Sequence, residues 1–274
     1  MGDRLRPLWD FDDLETSEAR FRAQLEQETT DAGRAEVLTQ LARVGSLRGD
    51  YERCDALLDE AEALGGAEAR ILLERGRRVR SSGQPGAGLA EFLRAFELAR
   101  ESGEDVLAVD AAHMVAIVDD MEAWTARGVE IAASSDDQGV RYWLGPLYNN
   151  VGWSRYEAGD AANALDAFER ALASRERDDP RPQSVAIARY AVGKALRAAG
   201  RADEAAEALE QCVAWAAEAG VQDDYFHEEL AEDYAALGRS AEASEQARRA
   251  LALISADDDP ARAARLRELA AGVE

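Results

Sequence analysis

Residues 148–172 read YNNVGWSRYEAGDAANALDAFERAL, and the spacing inside this stretch decides the fold. Gly152 stands seven positions before Gly159, the glycine of an AGD turn, and Ala164 stands five positions after it. Phe168 and Ala171 follow at intervals of four and three, so Ala164, Phe168 and Ala171 fall on one helical face. Small residues on both sides of a turn, with one large residue between them, are what two closely packed antiparallel helices require.

The pattern recurs along the chain. Equivalent turns occur in LRGDYERC (Gly49), RSSGQPGAG (Gly83), AAGRADEA (Gly200) and ALGRSAEA (Gly238). Gly49 to Gly83 is 34 residues, Gly159 to Gly200 is 41, and Gly200 to Gly238 is 38. The gap of 76 from Gly83 to Gly159 admits one degenerate unit turning near Val118-Asp119. Seven positions before each turn stand Ala42, Gly76, Ala111, Gly152, Gly193 and Ala231; five positions after it stand Cys54, Gly88, Ala123, Ala164, Ala205 and Ala243. Larger knobs lie between the small residues of the second helices, at Leu58, Phe92, Phe168 and Leu209. A period of this length marks stacked helix pairs, each burying a face that it cannot bury alone.

This pattern resembles the tetratricopeptide repeat family, best at 148–172, well at 186–213 and 227–251, and moderately at 38–61 and 72–95. The unit at 107–130 departs from it, with Arg127 and Glu130 where a knob and a small residue belong. The 41-residue spacing is similar to the longer-helix variants of kinesin light chains. The resemblance implies an all-α, right-handed α-solenoid of six helix–turn–helix units over 35–255. A capping helix is expected at 12–30, from Leu14, Phe21 and Leu25, with Trp9 and Phe11 folding back onto it. A second cap is expected at 260–272, opened by Pro260 and carrying Leu266 and Leu269. The whole of 1–274 reads as one superhelical domain.

Composition agrees with an all-helical chain. The apolar 47% leans on alanine, the best helix former, and prolines number only six. A net charge of −23 disfavours nucleic acid and anionic membrane surfaces. Cys54 and Cys212 form no CxxC pair and fall where neighbouring units carry alanine, so both read as buried packing residues in a reducing cytoplasm. The first residues lack the apolar run of a signal peptide, and no run approaches the ~20 apolar residues that span a bilayer. No phosphate-binding loop, HExxH, GxSxG or calcium loop is present, so neither catalysis, metal nor cofactor is expected. His113 and His227 read as packing or edge residues, and acidic pairs such as Asp119-Asp120 as turn caps.

In the family, first helices line the concave groove. The register places Asn149, Asn150, Trp153 and Tyr156 there in the fourth unit, and Tyr190, Lys194 and Arg197 in the fifth. Arg43, Arg70, Arg77 and Arg80 occupy it in the first two units, and Tyr225, Glu228, Glu229 and Glu232 in the sixth. Lys194 is the only lysine of the chain. Asn150 matches the position whose asparagine, in peptide receptors of this family, hydrogen-bonds the backbone of an extended ligand. The remaining residues of a carboxylate clamp are not all present. Cations draw carboxylates or phosphate through charge-assisted hydrogen bonds. The expected partner is therefore another protein or peptide, acidic or ending in a free carboxylate. The expected site is Asn149, Asn150, Trp153, Tyr156, Tyr190, Lys194, Arg197 and Arg77. The alternatives are a sensor of a small signalling peptide that changes conformation and a self-associating assembly subunit.

Overall fold

The computed structural model describes residues 3–81, 83, 86, 88–179, 181–254 and 259–272. It is all-α, and its helices follow one another in packed antiparallel pairs, the α-solenoid of tetratricopeptide-like units. A helix α1 (Leu14–Gln27) precedes six pairs. These are α2 (Asp31–Leu47) with α3 (Tyr51–Leu64), α4 (Glu68–Ser81) with α5 (Leu89–Ser102), and α6 (Asp105–Val118) with α7 (Met121–Ala133). After a four-residue helix α8 (Gln138–Arg141) come α9 (Leu144–Glu157) with α10 (Ala161–Asp178), α11 (Pro182–Ala198) with α12 (Ala202–Ala219), and α13 (Asp224–Ala236) with α14 (Ser240–Leu253). Helix α15 (Pro260–Ala271) ends the series. The chain divides into two compact units, residues 1–147 and 148–274.

The turns show why the sequence signal was a glycine followed by a polar residue. Gly159 has φ +80°, a conformation only glycine adopts without strain, and the Asp160 N–H bonds back to the Arg155 carbonyl at 2.9 Å. The Asp160 side chain then accepts from the Asn163 N–H and caps α10. Gly49 and Asp50 repeat the arrangement between α2 and α3.

Within pairs, the small residues sit under the knobs. A Cβ built on Gly76 would lie 2.5 Å from the Phe92 ring, and one on Gly152 would lie 2.5 Å from the Phe168 ring. Both rings are fully buried. Cys54 and Cys212 are buried free thiols in these same layers, which pushes both pKa values up to about 12. The degenerate pair solves its packing differently. Gly128 of α7 lies under Leu147, and Trp124 packs edge-on against Phe96 with centroids 5.2 Å apart. Arg127 covers the outer face of that indole at 4.3 Å. The Gly145-Pro146 step lies inside the first turn of α9, where the missing proline N–H has no helical acceptor to lose.

In the unit 148–274, Leu266 and Leu269 of α15 close the core formed by Ala231, Ala247 and Ala250. In the unit 1–147, α1 buries Phe21 against Val37, Leu38 and Leu41 of α2. Glu18 of α1 accepts from Arg53, Arg22 and Arg48, and these hydrogen bonds hold its carboxyl down to about 2.

Candidate functional site

In the unit 148–274 the first helices α9, α11 and α13 each contribute a row of polar and aromatic side chains. The structure gathers Tyr156, Tyr190, Lys194 and Arg197 in one place. The Lys194 ammonium lies 6.0 Å from the Tyr156 ring centroid and 5.6 Å from that of Tyr190. Asn149 donates to the Asn150 side chain at 3.4 Å, a long bond between neighbours on α9. Trp153 is turned toward the core, with its indole edge-on to Phe168 at 5.0 Å. Tyr190 is half-buried against Phe226 at 5.7 Å. Burial, with Glu229 nearby, pushes its phenol above the ordinary range.

Neither cation of this face stands alone. Lys194 Nζ is 2.5 Å from Glu229 Oε1, while Arg197 donates to Glu229 Oε2, to the Glu229 carbonyl at 3.1 Å and to Asp233 Oδ1 at 3.1 Å. Glu229 and Asp233 are buried. Desolvation lifts the Asp233 carboxyl to about 7 against the opposing pull of Arg197. The ladder continues from α13 to α15, where Arg262 pairs with Asp224 and Glu228 and covers the Tyr225 ring at 4.0 Å. Arg265 pairs with Glu232 at 2.7 Å.

In the unit 1–147 the corresponding face belongs to α2, α4 and α6, and its charges lie deeper. Arg77, expected to face a ligand, is tied on α4 to Glu74 at 2.5 Å and to Asp110 of α6, with only 11% of its side chain exposed. Arg43 of α2 reaches the same Glu74 at 3.4 Å. Burial would raise Asp110, but Arg77 and Arg43 outweigh it and hold the carboxyl below its usual range. Burial lowers His113 to about 4, so this ring is neutral at pH 7, and it packs against Trp143 with centroids 5.4 Å apart.

Sequence reasoning set Glu229 on the same face as Lys194 without pairing the two, and missed Asp110 and Asp233 as partners of Arg77 and Arg197. Their signal was present: Arg77 to Asp110 spans 33 residues, Lys194 to Glu229 35 and Arg197 to Asp233 36. Each is about one repeat, the separation that sets opposite charges side by side on successive first helices. Sequence reasoning expected Trp9 to fold back onto α1, where the indole does meet Phe21 at 5.0 Å, but missed how the residues before α1 reach α2 and α4. Asp3 pairs with Arg70 of α4 at 3.0 Å, and the Trp9 indole N–H donates to Gln40 of α2 at 2.9 Å. A cavity of about 50 Å³ lies here, lined by Asp3, Trp9, Gln40, Arg43, Arg70 and Glu74 among others. Among the described residues no group of three His, Cys, Asp or Glu side chains is placed to hold a metal ion, and no helix is long and apolar enough to cross a membrane.

Residues 143–218 match the family model for the tetratricopeptide repeat. The matched stretch spans helices α9 to α12, which are similar to tetratricopeptide repeats. No curated protein matches the sequence. Solved structures of tetratricopeptide and related proteins do match, at identities that speak to the fold alone. A signal transduction ATPase (STAND) protein with a tetratricopeptide repeat sensor, from Pyrococcus horikoshii, has TM-score 0.67 and 13% identity over 96% of this chain and 43% of that one. The chain thus spans less than half of that protein. BtubC (BKLC) from P. vanneervenii gives 0.61 at 18% identity, over 76% of this chain and 92% of its own. A Rap protein complexed with competence and sporulation factor gives 0.58 at 17% identity, over 95% and 80%.

Proposed function

We propose that this tetratricopeptide repeat protein is a non-catalytic scaffold that binds an extended peptide of another protein on the first-helix face of residues 148–274. The observation that supports it best is the cluster of Tyr156, Tyr190, Lys194 and Arg197, half-buried and grouped on adjacent first helices. Asn149 and Asn150 lie a turn or more away from Tyr156 on α9, with amides suited to a peptide backbone. Aromatic rings supply contact area, and Lys194 supplies a cation that a ligand carboxylate can share with Glu229. An acidic side chain or a free C-terminus is the group expected at Lys194. Because Glu229 already neutralises that ammonium, the exchange contributes selectivity more than affinity.

Panning a library of peptides displayed with free C-termini against the wild type and an Asn150→Ala/Lys194→Ala variant tests the reading. Enriched peptides should carry a carboxylate and lose at least tenfold in affinity, by calorimetry, for the folded double variant. Equal affinity for both proteins would remove this face as the site.

A second reading, the peptide sensor, is favoured by the shared position of Glu229. A ligand carboxylate that takes Lys194 from Glu229 loosens one of the ties between α11 and α13, so binding and helix geometry are coupled. A Rap protein complexed with competence and sporulation factor and a STAND protein with a tetratricopeptide repeat sensor have a similar fold, which is compatible with this reading. Small-angle scattering with and without a saturating selected peptide separates the two: a changed radius of gyration supports the sensor, an unchanged one the rigid scaffold.

A further inference from the structure

Residues 3–11 cross the first-helix face of the unit 1–147 with little regular structure of their own, apart from a three-residue 3-10 turn at Arg6–Leu8. Their contacts run over several repeats. Asp3 meets Arg70 on α4, Trp9 meets Gln40 on α2, and Leu5 is buried among Phe21, Val37 and Ile71. Arg4 reaches Glu28 and Glu36, and the Arg6 guanidinium lies 3.7 Å above the Tyr142 ring centroid. Ser17 fixes the far end, donating to the Asp10 carbonyl at 2.6 Å and accepting from its N–H at 2.7 Å.

The surface beneath is built around charge. Arg43 and Arg77 share Glu74, Arg77 also meets Asp110, and Arg70 pairs with Asp3 of the segment, with Glu36 and Glu104 further off. Even so the segment leaves the site incomplete. The Nε–H groups of Arg43 and Arg70 and one oxygen of Glu74 are buried without a hydrogen-bond partner, beside the cavity of about 50 Å³. A segment that belonged permanently to the fold would be expected to satisfy such donors, because each buried unmet group costs free energy. The half-exposed Arg4 and Phe11 also mark an occupant laid on a surface.

We propose that this face is a second peptide-binding site, which residues 3–11 cover as a tethered, displaceable occupant. The partner is an extended segment of another protein bearing a carboxylate where Asp3 sits, an aliphatic residue at the Leu5 position and an aromatic at the Trp9 position. A second carboxylate in that segment would meet the unused Arg43 and Arg70 donors and so outcompete the tether. Covering is effective because a short tether holds its end at roughly millimolar effective concentration. The proposal does not rest on the face formed by α9, α11 and α13.

The test uses the full chain and a fluorescein-labelled peptide of residues 3–13, DRLRPLWDFDD, as probe. Anisotropy titration should show the peptide binding at least tenfold more tightly to an Asp3→Ala/Trp9→Ala variant than to the wild type. Adding Arg70→Ala to that variant should abolish the gain, while Asn150→Ala/Lys194→Ala in the same background should not. Equally weak binding to wild type and the folded double variant would overturn the proposal. Loss of cooperative unfolding in the double variant would overturn it too, by making the segment part of the fold. In the wild type, amides of Leu5, Leu8 and Trp9 should exchange with solvent at least tenfold faster than those of Leu38 and Leu41. Equal protection would mean that the segment leaves only on global unfolding. A wild-type dimer in sedimentation that Asp3→Ala/Trp9→Ala dissolves would also overturn it, since the occupant would then come from a second copy.

Discussion

The only lysine of the chain, Lys194, is held 2.5 Å from Glu229 of the next repeat, and Arg197 shares the same carboxylate. One buried glutamate thus compensates two cations, and its removal exposes both at once. Glu229→Gln should destabilise the protein by roughly 1–3 kcal/mol, below the usual cost of breaking a buried pair because Arg197 keeps Asp233 and both cations retain some solvent. Lys194→Met should cost less than about 1 kcal/mol, since Glu229 keeps its bond to Arg197. Urea unfolding midpoints of the two variants check the order. Equal losses would mean that the lysine, not the shared carboxylate, carries the pair.

Asp233 gives the same cluster a pH dependence. Its side chain has no exposure, and one of its oxygens is buried without a hydrogen-bond partner. Burial lifts its folded-state pKa to about 7, Glu229 and Glu232 reinforce the lift, and Arg197 opposes it. Between the ordinary carboxyl range and pH 7 the folded state therefore holds a proton that the unfolded state has released. The resulting stability is full at pH values below the ordinary range and is lost as pH rises through 7. The melting temperature of wild type minus that of Asp233→Asn should fall as pH rises from 5 to 8. A difference independent of pH would show that Asp233 is ionised throughout, held by Arg197.

The repeats were legible because their signal is steric. Gly152 and Phe168 must coexist at a fixed offset whatever the partner, and the same holds for Gly76 and Phe92. The site was less legible. A register places Arg77 and Lys194 on first helices, but whether a cation there faces a ligand depends on the next repeat; the one-repeat spacing to Asp110 and Glu229 allows the pairing, and the structure shows that it forms. The fold-back of Trp9 onto α1 was legible, but the contacts of Asp3 with Arg70 and of Trp9 with Gln40 were beyond sequence reasoning for another reason. Residues before α1 follow no repeat, so no periodicity connects Asp3 to Arg70, 67 positions away.

The glycine–knob contact predicts its own variants. Gly152→Ala would drive a methyl group to 2.5 Å from the Phe168 ring, which is fully buried and has no room to retreat. The expected loss is about 1–3 kcal/mol, the range for overpacking a filled core, despite the better helix propensity of alanine. Phe168→Leu alone should also destabilise, but combined with Gly152→Ala it should recover part of the loss, because the smaller side chain vacates the space the methyl enters. A double-mutant cycle by urea unfolding measures this, and strictly additive losses would mean that the two residues are not in contact.

The two thiols supply a probe of the same packing. Cys54 and Cys212 have no exposed surface, and burial raises both to about 12, so neither carries appreciable thiolate at pH 8. Reaction with a thiol-specific chromogenic disulfide should therefore be negligible in the native protein at that pH and should reach two equivalents in denaturant. In intermediate urea, the rate at each cysteine reports the opening of its own helix pair, α2 with α3 for Cys54 and α11 with α12 for Cys212. If the units 1–147 and 148–274 unfold as one cooperative body, the two rates should converge on a single value that tracks the global transition. If they open separately, mass spectrometry of the labelled peptides should find one cysteine modified before the other. Gly152→Ala, in the unit of Cys212, should then accelerate labelling of Cys212 and leave Cys54 unchanged.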